Sequence, residues 1–152
     1  MCKILRLIPS GVDAVLAIQE VSPEAAAWNR EAYEEMLAGS GPNCCLIAVR
    51  GGTAVGFACF RVVEREAELL NLAVLPDVRR LGIGAQLVEA VIREAAASGA
   101  ADIFLEVRES NAAAPGLYKR FGFELNHRRP GYYSNPSADA LTLHLRLAAR
   151  IN

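Results

Sequence analysis

The sequence lacks an excess of charge of either sign. Sixteen Lys and Arg stand against seventeen Asp and Glu, a net charge of −1. That balance excludes a protein that holds nucleic acid through a general basic field. No apolar run approaches the roughly 18 residues that suggest a membrane span. Residues 1–6 lack the apolar stretch of a signal peptide, so a cytoplasmic protein without membrane contact is expected. The four cysteines, Cys2, Cys44, Cys45 and Cys59, form no C-x-x-C pair. Neither His127 nor His144 lies near them, so a finger-like zinc site is absent and no metal is expected. Cys44 and Cys45 are neighbours on a strand-like run and should point to opposite faces, filling small apolar space as reduced thiols. What is abundant is apolar side chain, 53% of 152 residues. That is too much for disorder and enough for one domain, residues 1–152, with its own core.

Along the chain, residues 3–8 read as a strand ended by Pro9. Ser10 opens a first helix, with Val12, Val15, Leu16 and Ile18 as a partial stripe. Ser22-Pro23-Glu24 offers a cap, a first-turn Pro and an acid, predicting a second helix over 22–37. Three strands follow, 44–50, 53–63 and 67–75, the first two joined at Gly51-Gly52. A long helix over 82–98 shows Leu87, Val88, Val91, Ile92 and Ala95 on one face, and Gly99 suits its end. A buried strand over 102–107, a short helix over 111–120 and a closing antiparallel pair, 123–128 with 140–147, complete the order. Residues 129–139 read as loop. The crossover between strands 67–75 and 102–107 makes those two parallel. The expected fold is α/β: a mixed, mostly antiparallel sheet of about seven strands, with a parallel central pair and helices on both faces.

Between the third of those strands and the long helix lies Val78-Arg79-Arg80-Leu81-Gly82-Ile83-Gly84-Ala85. Glycines let backbone approach an anion, and a helix start offers unpaired N–H groups and partial positive charge. Two arginines add charge and forked donors. A tight turn with two surface arginines is the competing explanation. A P-loop needs a closing Gly-Lys-Ser/Thr, and a dinucleotide fingerprint needs a third glycine where Leu87 stands, so both are rejected.

Arg79-x-x-Gly82-x-Gly84 matches the Q/R-x-x-G-x-G/A signature of the GNAT N-acetyltransferases. Leu70-Asn71-Leu72-Ala73-Val74-Leu75-Pro76, the run 105–114 and Leu117-Tyr118-Lys119-Arg120-Phe121-Gly122-Phe123 resemble a bacterial branch, the ribosomal-protein-alanine N-acetyltransferases of the RimI type. Arg128-Arg129-Pro130-Gly131-Tyr132-Tyr133 is similar to that branch's Arg-Arg…Tyr-Tyr segment. The resemblance implies acetyl-CoA as donor. It implies that Arg79 opens a pyrophosphate loop formed by the amides of Arg80, Leu81, Gly82, Ile83, Gly84 and Ala85. It further implies that Leu72, Ala73 and Val74 pair with the pantetheine arm, by the physics of strand addition. Asn111 would help hold the arm. Glu106 would be the general base and Tyr118 the general acid, close to the cofactor.

The chemistry is consistent with those roles. A protein α-amine, with a reference pKa near ~8, is roughly one-tenth neutral at pH 7, whereas a lysine near ~10.4 is under a thousandth neutral. Modest help from a carboxylate such as Glu106, directly or through water, then suffices. An ion pair with an arginine, such as Arg108 or Arg128, is the alternative role for Glu106. A backbone N–H of the 72–74 strand would meet the oxyanion. Tyr118 is better suited to donating a hydrogen bond to the departing sulfur than to giving its proton outright, because a phenol near pKa ~10 is the weaker acid. Packing on Phe121 and Phe123 is its alternative role.

The acceptor should bind opposite the cofactor. Candidates are Trp28 and Tyr33 on the second predicted helix, Glu66, Asn71, and Tyr132 and Tyr133 in the late loop. Aromatics and acids suit an extended cationic peptide. The expected partner is a protein or peptide N-terminus, in the resembling branch that of a ribosomal protein, and the expected state is a monomer or weak homodimer. Acetylation of lysine or a small amine, and CoA binding without turnover, are the other readings.

Overall fold

Strands β1 (Cys2–Arg6), β2 (Asn43–Arg50), β3 (Thr53–Val63), β4 (Glu66–Val74), β5 (Asp102–Arg108), β6 (Glu124–Tyr133) and β7 (Ala138–Arg146) form one sheet in the order β1-β2-β3-β4-β5-β7-β6. This is a computed structural model, and it describes residues 2–38, 42–109, 114–134 and 137–147. Only the β4–β5 neighbours run parallel. Helices α1 (Val12–Glu20) and α2 (Arg30–Leu37) lie on one face, α3 (Ile83–Ala97) and α4 (Ala114–Arg120) on the other. The mixed seven-stranded architecture is the one expected from the order of periodic segments.

The α3 stripe does what its spacing predicts. Leu87, Val88, Val91 and Ala95 are at most 2% exposed and pack on Ala67, Leu69, Ile103 and Leu105. Each such Leu, Val or Ile contributes roughly 1.5–3 kcal/mol of burial. Gly56 lets α3 come close, because a Cβ there would sit 3.0 Å from Ala73 O and 3.2 Å from Leu87 Cδ1. The second core places Val12, Val15, Ile18 and Tyr33 against Cys45, Ile47, Phe57, Cys59 and Ala73.

A register shift in β4 organises the middle of the sheet. Cys59 pairs with Asn71 while Phe60 pairs with Leu69, leaving Leu70 as the extra residue of a bulge. Before it, Ala67 and Leu69 face α3. After it, Leu72 and Val74 do so, and Asn71 and Ala73 turn to the α1–α2 face.

Two expectations are corrected. The second helix starts at Arg30, not at Ser22. Asn29 is its cap, its side chain accepting from Ala32 N at 2.9 Å. Ser22 is buried and its hydroxyl instead donates to Ile18 O at 2.7 Å. The groups that helix would have used at Ala26 are taken by Asn71, which accepts from Ala26 N at 3.0 Å and donates to Ala26 O at 3.2 Å. The late loop is also shorter than expected: β6 continues to Tyr133 and pairs with β7 through Arg129↔Ala140 and Tyr133↔Ala138. Pro130 and Gly131 sit within the irregularity between those pairs, a place where an edge strand tolerates a residue without an N–H.

Candidate active site

The parallel β4–β5 pairing ends at Leu69↔Leu105, just before the bulge. Beyond it β4 continues to Val74 and β5 to Arg108 without pairing to each other, so the sheet opens between them. Leu75 N donates to Val55 O at 2.8 Å, on the β3 side. Alternation along a strand then directs the backbone groups of Ala73 toward β3, and those of Leu72 and Val74 into the opening. Of the three residues expected to hold an extended ligand, Leu72 and Val74 direct backbone groups to the open edge, Val74 O also accepting from Arg79, and Ala73 does not.

At the end of β4 the chain passes a short 3₁₀ turn, Pro76–Val78, and enters the glycine loop. Arg80 has φ +69° and Gly82 φ +80°, the left-handed region, with Gly82 as the cap of α3. Such alternation turns successive N–H groups into one concavity, the nest that binds anions. No side chain caps α3. Gln86 N, bonded to Gly82 O at 3.0 Å, closes the first helical bond, leaving the amides of Ile83, Gly84 and Ala85 as the helix's orphan donors. Leu81 and Gly82 are exposed beside them. Arg79 plays a different part from the one expected. Its Nε donates to Val74 O at 3.2 Å and its terminal nitrogen pairs with Glu24. The side chain therefore ties the end of β4 to the 22–29 segment, and the loop offers an anion backbone amides and Arg80.

Glu106 lies on the β5 face opposite Leu105 and Val107, at the mouth of the opening. Its Oε2 accepts from Arg129 at 2.8 Å and its Oε1 from the Tyr133 hydroxyl at 3.4 Å. The ion-pair partner is thus Arg129, not Arg108 or Arg128. Arg128 instead bridges Glu109 at 2.7 Å and Asp139 at 2.9 Å. Arg108 lies 4.6 Å over the Tyr133 ring and Arg129 4.4 Å over that of Tyr132. The two tyrosines meet edge to face at 5.2 Å. Burial, reinforced by Glu106, pushes the Tyr133 phenol up.

Tyr118 comes from α4, on the α3 side of the sheet. It is 4% exposed, and its ring meets Phe123 at 5.5 Å. Its hydroxyl has no hydrogen-bond partner among the described residues. Burial pushes the phenol well above its ordinary value, so it stays protonated and able to donate. A Cβ on Gly84 would lie 3.4 Å from Leu117 Cδ2 and 3.9 Å from Val74 Cγ2, so α4, the start of α3 and the end of β4 converge.

The other candidates separate. Asn71 is 5% exposed and fully engaged: besides Ala26, it donates to Tyr33 Oη at 3.3 Å. Tyr33 donates to Gln19 Oε1 at 2.5 Å, and Gln19 donates to Trp28 O at 2.6 Å. Asn71 therefore positions the 22–29 segment from below rather than meeting a ligand. Trp28 lies in that segment, not on a helix, half-buried 5.4 Å from Tyr33. Tyr33 is wholly buried and stands against Phe57. Glu66 begins β4 opposite Asp102, about 13 Å of strand from Glu106, and is not brought to the site. Asn111 lies outside the described residues. Sequence reasoning missed Glu24, Gln19 and Arg129. A Gln inside an apolar helical stripe was the one local sign available for Gln19.

The model of the Acetyltransferase (GNAT) family matches residues 12–123. The chain belongs to this family. Among GNAT relatives, the ribosomal protein bS18-alanine N-acetyltransferase of Escherichia coli (strain K12) is 44% identical over 90 residues, 59% of this chain. The chain spans 60% of the length of that curated relative. The crystal structure of the ribosomal-protein-S18-alanine N-acetyltransferase from Escherichia coli superposes with a TM-score of 0.87 at 32% identity, covering 97% of this chain and 94% of that one. Arabidopsis thaliana NAA60 in complex with acetyl-CoA shares the GNAT fold, with a TM-score of 0.86 at 18% identity over 97% of this chain and 99% of that one. Among the described residues no helix is long and apolar enough to cross a membrane, and no cluster of metal-ligating side chains occurs.

Proposed function

We propose that the chain transfers an acetyl group from acetyl-CoA to a primary amine, the α-amine of a protein N-terminus. The reading rests above all on the open β4 edge, whose Leu72 and Val74 backbone groups meet an extended amide-bearing ligand as a neighbouring strand would. The anion nest at Arg80–Ala85 then receives the diphosphate at the far end of the same ligand. The amine attacks the thioester carbonyl, a β4 N–H meets the oxyanion, and collapse expels the thiolate. Glu106 takes the amine's proton through its Oε1, which Arg129 does not engage and which carries the 3.4 Å bond from the Tyr133 hydroxyl. Tyr118 donates a hydrogen bond to the departing sulfur. Asn111 supports the arm of the cofactor.

The names of the E. coli relatives, both alanine N-acetyltransferases acting on a ribosomal protein, favour a peptide beginning with alanine as acceptor. Trp28, Tyr132 and Tyr133 flank its path. Residues 1–152 act as one domain, as a monomer or weak homodimer, in the cytoplasm. A thiol-release assay over alanine-initiated peptides with free and blocked N-termini, and over small amines, tests the reading. Release with the free N-terminus alone is expected. Release only with a blocked, lysine-bearing peptide overturns the α-amine assignment, and no acetyl-CoA binding by calorimetry overturns the whole reading.

A further inference from the structure

Apart from the site, one pair of nucleophilic side chains is brought together across the sheet. Cys45 on β2 and Cys59 on β3 stand directly opposite in register. Leu7 N donates to Cys45 O at 2.9 Å, so the backbone groups of Cys45 face β1. Cys45 and Cys59 are therefore a non-hydrogen-bonded pair, the closer of the two antiparallel arrangements, with Cα atoms about 4.5 Å apart. That lies inside the Cα range a disulfide spans, about 4.4–6.8 Å. Both side chains point to the α1–α2 face and their sulfurs are 2.7 Å apart. Cys2 and Cys44 pack on the opposite face and have no such partner. All four cysteines are free thiols.

We propose that Cys45 and Cys59 are a modification site: a cross-strand dithiol that a small-molecule disulfide converts to an intramolecular disulfide. One thiolate attacks the small disulfide and releases one thiol. The other protein sulfur then attacks the mixed disulfide and releases the second. Two protein thiols lose two electrons and two protons, and the small disulfide becomes two thiols. At 3% and 0% exposure the pair is reached during opening of the β2–β3 hairpin, not from the closed face. The bond closes within the pair because the register leaves each sulfur nearest the other. Cys59 also lies opposite Asn71 at the bulge, so the cross-link ties β2 to β3, the strand that pairs with the Asn71-bearing β4.

The test uses the full chain, unfolded in denaturant and refolded in oxidised glutathione. Two of four titratable thiols should disappear, with peptide mapping joining the Cys45 and Cys59 peptides. The oxidised chain should melt about 5–10 °C above the reduced one. The double variant Cys2→Ser, Cys44→Ser, which leaves the core pair untouched, should lose its two remaining thiols to the same cross-link. Four surviving thiols, a bond involving Cys2 or Cys44, or glutathione retained on Cys45 or Cys59 would overturn the proposal.

Discussion

On one side of the opening between β4 and β5 the protein presents backbone; on the other it presents side chains. The first side consists of the β4 edge and the Arg80–Ala85 amides, held by strand pairing and a helix start. The second consists of Glu106, Arg129, Tyr132 and Tyr133, held by one another, and of the 22–29 segment, pinned from beneath by Asn71. A backbone surface recognises any ligand with the right spacing of donors and acceptors. A side-chain surface can be rebuilt for another acceptor without disturbing the first. Arg79 joins the two sides, bonded to Val74 O in one direction and Glu24 in the other.

Substitutions can separate the two sides. The largest effects belong to chemistry. Tyr118→Phe and Glu106→Gln should each lower kcat by about 100-fold, while acetyl-CoA affinity measured by calorimetry stays unchanged. The Glu106→Gln loss should be steepest at low pH, and a variant that keeps the wild-type pH–rate profile removes the base role. Burial raises the Tyr118 phenol, so its protonated form persists and kcat should show no downturn from this group below pH ~10, its unfolded value.

Next comes the clamp. Asn71→Ala leaves Ala26 N–H, Ala26 C=O and Tyr33 Oη short of a partner, which should cost about 1–3 kcal/mol in urea unfolding. It should raise the KM for the peptide more than that for acetyl-CoA; an equal rise in both would mean the two sides are not independent. Gly82→Ala acts on the backbone side, where a Cβ at φ +80° costs about 1–2 kcal/mol. Acetyl-CoA binding should weaken about tenfold, with little change in peptide KM.

The smallest effect concerns the β6–β7 hairpin. Asp139 accepts from Gly131 N at 2.9 Å and pairs with Arg128, and these contacts hold its carboxyl below the usual value. A depressed value means stabilisation present above about pH 4 and lost as pH falls through the folded value. Asp139→Asn should flatten that acid limb in thermal melts while leaving acetyl-CoA affinity untouched.

The same division decides what could be read from the chain. The α3 stripe, the Gly82–Gly84 spacing and the crossover between β4 and β5 are local periodicities, and the sheet order and anion loop follow from them. The 22–37 helix failed because its local signals, a Ser cap and a first-turn Pro, lose to an Asn 45 residues away that takes the backbone groups of Ala26. That the arginine beside Glu106 is Arg129, rather than either of the two named as examples, was hidden for a similar reason. Irregularities in β6, between Leu125 and His127 and between Arg129 and Tyr133, set the register, and alternation alone does not reveal them. Arg79 looked like an anion ligand because its two acceptors, Val74 O and Glu24, meet only in the fold.

The single extra residue at Leu70 carries a consequence for how this strand can vary. Because the groups offered at 72 and 74 belong to the main chain, their side chains are left to answer only to the core beneath α3. Any apolar residue of suitable volume can stand there while ligand recognition is retained. Deleting Leu70 itself would only make the pairing with β3 regular and keep those faces, whereas deleting a residue beyond it, at 72, would exchange the inner and outer faces that follow and present the wrong carbonyls to the opening.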